Sequence, residues 1–134
     1  MLKVEKLNVF YGGIHALKGI SFSVEEGKIV ALIGANGAGK STTLRSVCGL
    51  KKVKDGEILF KSKNITNKST NDIVKAGMTL VPEGRRIFPN LTVTENLMLG
   101  AFLRRDSEEI EKDLDWVNTL FPRLRERKDQ KGGT

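Results

Sequence analysis

One glycine-rich segment of this chain has residue types and spacing suited to chemistry. The pattern G-x-x-x-x-G-K-[ST] is matched in full by Gly34-Ala35-Asn36-Gly37-Ala38-Gly39-Lys40-Ser41. Glycines lack a Cβ, so consecutive backbone N–H groups can curl around phosphate oxygens. In this motif Lys40 neutralises the β- and γ-phosphates, the Ser41 hydroxyl ligates Mg²⁺, and Thr42 can reach the α-phosphate. The segment therefore predicts a nucleotide-polyphosphate site over residues 36–42.

The elements that must position this loop are predicted on both sides of it. Lys28–Ile33 is continuously apolar after its first residue, which is typical of a strand buried on both faces of a parallel sheet. After the loop, Leu44, Val47 and Cys48 recur at helical spacing and predict a helix from Lys40 to Leu50. A buried strand entering the loop and an amphipathic helix leaving it form the context in which the motif binds phosphate.

Other elements are predicted before and after this unit. The first strand alternates from residue 2 to residue 5 and then slips by one, which predicts a bulge near Lys6. Thr92 and Glu95 have the spacing of a capping box that opens a helix. The remaining predictions are strands at Ile20–Val24, Glu57–Phe60 and Met78–Val81, a short helix at Asn71–Ala76, and a last helix from Ser107 that Pro122 stops.

Composition narrows the class of protein. The chain carries 23 Lys+Arg and 16 Asp+Glu, a net charge of +7, with 11 basic and 5 acidic residues before residue 68. The basic residues form scattered pairs rather than one stripe, and the few aromatics sit in apolar runs, so we expect no nucleic-acid partner. No apolar run approaches the roughly 20 residues of a membrane span, which predicts a soluble, intracellular protein. Cys48 is the only cysteine and is expected in the core, and His15 is expected to be a surface or packing residue.

Four segments together resemble the ATP-binding subunit of an ABC transporter. The loop reads G-A-N-G-A-G-K-S-T over residues 34–42, and Tyr11 matches the aromatic residue that stacks on adenine in that family. Asp55-Gly56-Glu57-Ile58 resembles the turn after the family's phosphate-loop helix, and Val81–Leu97 resembles the Q-loop and the entry to the helical subdomain. The resemblance covers essentially all 134 residues and implies ATP and Mg²⁺ as cofactors.

Glu83 departs from the general pattern of the family. Most members have Gln at this strand end, where it ligates Mg²⁺ and couples the nucleotide to the membrane partner. The form P-E-G-R-R-I-F is similar to the ATPase subunit of branched-chain amino-acid importers of the Liv type, in which Glu is usual. The resemblance implies that Glu83 approaches the metal directly or through water. The alternative is a loop carboxylate paired with Arg85 or Arg86.

The resemblance implies an α/β fold, the P-loop NTPase core of an ABC ATPase with an N-terminal antiparallel β subdomain. Residues 1–91 would be the nucleotide-binding portion, and residues 92–134 the start of a helical subdomain that stops before the signature motif. In the family's parallel sheet the strands at Ile29–Ile33 and Met78–Val81 are separated by strands from later sequence. We therefore expect an incomplete domain with unpaired strand edges, which self-associates or swaps elements.

The implied function belongs to the intact protein. Two such subunits would bind ATP between them and drive a membrane permease, contacted through Arg85–Leu103, from the cytoplasmic face of the membrane. Lys40 and Glu83 contribute to catalysis, but these 134 residues contain no signature sequence, no strand ending in Asp-Glu and no switch histidine. We expect the chain alone to bind nucleotide without hydrolysing it. Two alternatives stay open, which are an ABC-type ATPase acting on ribosomes or DNA, and a nucleotide-binding module without turnover.

Overall fold

The computed structural model describes residues 1–134 and divides them into two compact units, Met1–Leu80 and Val81–Thr134. The first unit contains the glycine-rich loop, and the second contains Glu83 and the helices that follow it. The domain division predicted at residues 91 and 92 stays a prediction. No helix of either unit combines the length and the apolar character that a membrane crossing requires.

A four-stranded antiparallel sheet forms the larger part of the first unit. Its strands are β1 (Leu2–Tyr11), β2 (Ile14–Val24), β3 (Asp55–Phe60) and β4 (Lys63–Asn64), in the spatial order β2-β1-β3-β4. β1 and β2 are joined by the turn at Gly12-Gly13, so Tyr11 pairs with Ile14. The predicted bulge is confirmed, since the pairing of β1 shifts between Val4 and Leu7 and Lys6 has a φ of 48°.

One face of the sheet packs on two short helices, α1 (Lys40–Val47) and α2 (Thr70–Lys75). β1 supplies Val4 to the core before the bulge and Leu7 and Val9 after it, as the predicted slip in the alternating pattern requires. Cys48 is buried as expected, and burial raises the pKa of its thiol. The remaining core side chains are Leu17, Val47, Val53, Ile58, Phe60, Ile65 and Ile73.

Two predicted strands are wrong. Neither Lys28–Ile33 nor Met78–Val81 is a strand, and neither pairs with any strand of the sheet. A strand takes its backbone hydrogen bonds from a neighbour, and an apolar parallel strand also needs a packed layer on each face. Both kinds of partner are missing around these segments, so Ile29 and Val81 are more than nine-tenths exposed. Met78 differs, since it packs against the core of the first unit.

The second unit is helical, with α3 (Val93–Leu99), α4 (Ser107–Leu120) and α5 (Pro122–Glu126). The capping box is confirmed, because the Thr92 side chain accepts from the Glu95 amide and Glu95 accepts from the Thr92 amide. Pro122 ends α4 as predicted but also starts α5, where its missing N–H costs no helical hydrogen bond. The chain then returns to α3, and Lys131 forms a β-bridge with Thr92.

Candidate functional site

The glycine-rich loop owes its shape to two glycines in the left-handed region. Gly37 has a φ of 86°, and Gly39, the residue immediately before α1, has a φ of 93°. Residues with a Cβ are disfavoured at such angles. Gly39 is further constrained by its neighbours, since a Cβ there would lie 2.5 Å from Leu17 Cδ2 and 3.2 Å from the Ala16 carbonyl oxygen. The absence of a side chain therefore allows the loop to lie directly on β2.

Most amides of this loop remain available as donors. The Ala38 amide donates to the Ala35 carbonyl at 3.1 Å, whereas those of Asn36, Gly37 and Gly39 donate no hydrogen bond within the chain. The loop leads into the N-terminus of α1, where the helix dipole is positive and no acidic residue lies in the first turn. Unpaired donors at a positive helix end favour an anion.

Lys40 folds back over the loop. Its Nζ donates to the carbonyl oxygens of Gly34, at 2.7 Å, and Ala35, at 2.8 Å. These two contacts hold the ammonium group against the backbone of the same loop. A polyphosphate bound to the loop amides would therefore have the positive charge of Lys40 on the same loop.

The next three residues of α1 are hydroxyl-bearing. Ser41 and Thr42 are half-buried in the first turn, and Thr43 is buried with its Oγ1 donating to the Gly39 carbonyl at 2.9 Å. The Thr43 amide donates to the same carbonyl at 2.8 Å. Thr43 thus fixes the junction between loop and helix, and the Ser41 hydroxyl is the kind of oxygen ligand that Mg²⁺ prefers. The residues present fit a magnesium–nucleotide complex.

Tyr11 lies at the end of β1, at the same end of the sheet as Gly12-Gly13. Its side chain is 39% exposed, and the Lys51 Nζ lies 3.9 Å from the centre of its ring. The preceding residue, Phe10, stacks instead on His15, with 4.1 Å between ring centres and 9° between ring planes. His15 also hydrogen-bonds to Asn8 through Nε2 at 2.9 Å, which confirms its packing role.

Glu83 belongs to the second unit and to a tight turn. Gly84, Arg85 and Arg86 all have positive φ, and the Arg86 amide donates to the Gly84 carbonyl at 2.7 Å. The Arg86 Nε donates to the main-chain carbonyl of Glu83 at 3.3 Å. The amide and the side chain of Arg86 thus both donate to carbonyls of the turn, and the role of the Glu83 carboxylate at a metal stays a prediction.

Comparison with known proteins identifies the family of this chain. The sequence profile described as "ABC transporter" matches residues 17–132, which include the phosphate loop, α1 and most of the second unit. The chain belongs to the ABC transporter family. The fold agrees, because the solved structures that resemble it are ATP-binding cassettes.

Three proteins show how far the similarity to ABC proteins extends. The chain is 43% identical over its whole length to the high-affinity branched-chain amino acid transport ATP-binding protein BraG of Pseudomonas aeruginosa, of which it covers 57%. It is 36% identical, again over its whole length, to the probable branched-chain amino acid transport ATP-binding protein LivF of Archaeoglobus fulgidus, of which it covers 56%. An ABC transporter cassette solved in its ADP conformation is 28% identical with a TM-score of 0.77, over 99% of this chain and 57% of that one. The chain thus spans a little more than half the length of these ABC relatives.

All residues of the phosphate loop could be identified from the sequence because they are contiguous. Lys51 could not, since its contact with Tyr11 joins two segments 40 positions apart. The sequence marked Lys51 only as one member of a basic pair with Lys52. Ala16 and Leu17, which lie behind Gly39, were likewise not predicted as parts of the site.

Proposed function

We propose that this chain binds ATP with Mg²⁺ through Asn36–Thr42. The observation that carries the proposal is the loop itself, in which three amides donate no hydrogen bond within the chain, the Lys40 ammonium lies on two loop carbonyls, and α1 begins directly afterwards. The amides and Lys40 bind the phosphates, and the hydroxyls of Ser41 and Thr42 hold the metal and the α-phosphate. Tyr11 provides the aromatic face for the base.

In the intact protein we propose an ATP-driven importer subunit for branched-chain amino acids. The support is the 43% identity to BraG and the 36% identity to LivF, both over the whole chain. The subunit would pair with a second ABC ATPase subunit and contact a permease through Arg85–Leu103, on the cytoplasmic face of the membrane. Glu83 would report the state of the γ-phosphate to that permease, directly at the metal or through water.

We propose further that these 134 residues bind nucleotide without turnover. Phosphoryl transfer depends on positioning the reacting groups and on stabilising the charge of the transition state. The motif residues present here supply only the binding site for phosphate and metal. In the ABC family, the groups that polarise the attacking water lie later in the sequence, and the signature that closes on the γ-phosphate comes from a second subunit. Lys40 and Glu83 alone do not complete that set.

Nucleotide binding is tested by calorimetric titration with Mg·ATP. Replacing Lys40 by Ala removes a charge-assisted contact worth about 1.5–3 kcal/mol, so affinity should fall roughly 10- to 100-fold. Lys28→Ala removes the same charge from an exposed loop residue and should leave affinity unchanged. Full ATP affinity in the Lys40→Ala protein, with an unchanged thermal melt, would contradict the proposal.

Turnover is tested by phosphate release from the purified chain with saturating Mg·ATP. We expect a rate no higher than that of the Lys40→Ala protein. Release that is clearly above this background, and that the substitution abolishes, would show that the residues present suffice for hydrolysis.

A further inference from the structure

The contact between Lys51 and Tyr11 assigns a role to a residue outside the phosphate loop. The Lys51 Nζ lies 3.9 Å from the centre of the Tyr11 ring, within the range of a cation–π interaction. Lys51 is half-buried, whereas its neighbour Lys52 is exposed. Lys51 forms no ion pair that could hold its ammonium elsewhere.

The backbone around Lys51 is anchored to the end of α1. The amides of Leu50 and Lys51 both donate to the Arg45 carbonyl, at 2.8 and 3.2 Å. Three residues later, the Lys54 amide donates to the Asn8 carbonyl of β1 at 2.9 Å, immediately before β3 begins. Lys51 therefore approaches Tyr11 from a segment tied to the β3 side of β1.

The phosphate loop packs against β2, the strand that pairs with the other edge of β1. Gly39 lies against Ala16 and Leu17 of β2, and Leu17 pairs with Val9. Val9 precedes Tyr11 by two residues, about 7 Å along the strand. Because β1 lies between β2 and β3, a nucleotide held by the loop would reach Tyr11 from the β2 side, while Lys51 reaches it from the β3 side.

We propose that Lys51 is a positioning residue of the nucleotide site. Its ammonium holds the Tyr11 ring from the side remote from the phosphate loop, so that the other face is presented to the base. Lys51 then acts on base binding through Tyr11 and has no contact with the phosphates. The inference rests on the proposed function, which gives Tyr11 the base.

The test compares ATP with inorganic tripolyphosphate, which has the same phosphates but no base. Lys51→Met should weaken Mg·ATP binding roughly two- to five-fold, the loss expected for one partly exposed cation–π contact, and leave tripolyphosphate binding unchanged. Lys52→Met is the matched control and should alter neither ligand. Lys51→Arg keeps the cation and should restore ATP affinity, whereas a residue that only stabilised the fold would change both ligands together.

Tyr11 is the only tyrosine of the chain, so ring-labelled tyrosine gives a single set of NMR signals. These signals should shift on adding ATP but not tripolyphosphate, and Lys51→Met should change their positions in the free protein. A double-mutant cycle completes the test, since Lys51→Met should have no effect on ATP binding in a Tyr11→Ala background.

The possible failures point to different conclusions. Tighter ATP binding by Lys51→Met would overturn the proposal and place the ammonium on the face that the base needs. Unchanged ATP binding would also overturn it while leaving Tyr11 as the base-stacking residue. If Tyr11→Ala itself changes ATP and tripolyphosphate binding equally, then the role of Tyr11 in the proposed function is wrong, and the role of Lys51 falls with it.

Discussion

At the scale of single residues, the two left-handed glycines of the phosphate loop differ in what surrounds them. A Cβ on Gly37 would meet nothing within 4 Å, whereas one on Gly39 would meet Leu17 and the Ala16 carbonyl. A residue with a side chain would adopt an unfavourable left-handed conformation at either position. Only at position 39 would its Cβ also clash with neighbouring atoms. The first glycine shapes the loop, and the second also fixes it against the sheet.

This difference predicts unequal effects of the same substitution. Gly37→Ala should lower the free energy of unfolding by about 1–2 kcal/mol, the cost of the left-handed conformation. Gly39→Ala should cost about 1–3 kcal/mol more, because the methyl group overpacks against β2. Denaturant unfolding measures both values, and equal losses would show that the Leu17 contact relaxes without cost.

At the scale of elements, short-range polar contacts fix the helix ends of the second unit. The Glu95 carboxylate accepts from the Thr92 amide at 2.7 Å, and the Thr92 hydroxyl accepts from the Glu95 amide at 3.2 Å. The amide and the hydroxyl of Thr92 both donate to the Glu95 carboxylate, and these two hydrogen bonds lower the pKa of Glu95. The capping box thereby satisfies two amides that the first turn of α3 leaves unpaired.

Removing the cap should therefore destabilise the chain measurably. Thr92→Ala should reduce the free energy of unfolding by about 0.5–2 kcal/mol, and Thr92→Ser, which keeps the hydroxyl, should recover most of it. Circular dichroism during denaturation measures this. The same loss in the Ser variant would show that the Thr92 methyl group, not its hydroxyl, is responsible.

Hydrogen bonds between charged side chains link the segment after α3 to α4. Arg104 donates from Nε and Nη2 to Asp106 and from Nη1 to Asp113, so one guanidinium bridges the residue before α4 and its second turn. The hydrogen bonds from Arg104 lower the pKa of Asp106 to about 2. An unfolded aspartate titrates near 3.9, so the contact stabilises the folded chain above about pH 4 and is lost as the pH falls to about 2.

This arrangement predicts a change that a pH titration by NMR can follow. In Arg104→Gln the pKa of the Asp106 carboxyl should rise toward about 3.9, and stability should depend less on pH between about pH 4 and 2. Arg105→Gln removes a neighbouring cation and should leave the low pKa in place. An unchanged Asp106 titration in Arg104→Gln would assign the shift to the backbone amides instead.

At the scale of the whole molecule, the dominant feature is apolar surface outside the core. Ile29 and Ile33, from the segment before the phosphate loop, are almost completely exposed, and so is Val81. Apolar surface of this kind favours association with another surface, including that of a second copy.

We therefore expect the chain to self-associate. The mass from light scattering should rise with concentration, and Ile29→Lys combined with Ile33→Lys should reduce the rise. Ile14→Lys places the same charge at an exposed hairpin position and should have little effect. A monodisperse monomer with one cooperative melting transition would contradict this expectation.

Features confined to a few neighbouring residues could be predicted from the sequence. The phosphate loop, the Thr92–Glu95 capping box and the bulge at Lys6 depend on backbone angles and hydrogen bonds within short segments, and the structure contains all three. The β1 core residues followed from a period of two that slips by one residue at the bulge. Local chemistry decided each of them.

The tertiary structure decided what depends on a distant partner. Residues 28–33 have the composition of a buried strand, but a strand forms only where a neighbour completes its hydrogen bonds, and here there is none. Conversely, Lys51 meets Tyr11 and Leu17 meets Gly39 only because β1 is held between β2 and β3. The sequence by itself determined which glycine, lysine and hydroxyl residues the proposed phosphate site uses. The surroundings of that loop were decided by the tertiary structure, because pairing and packing between distant segments cannot be read from either segment alone.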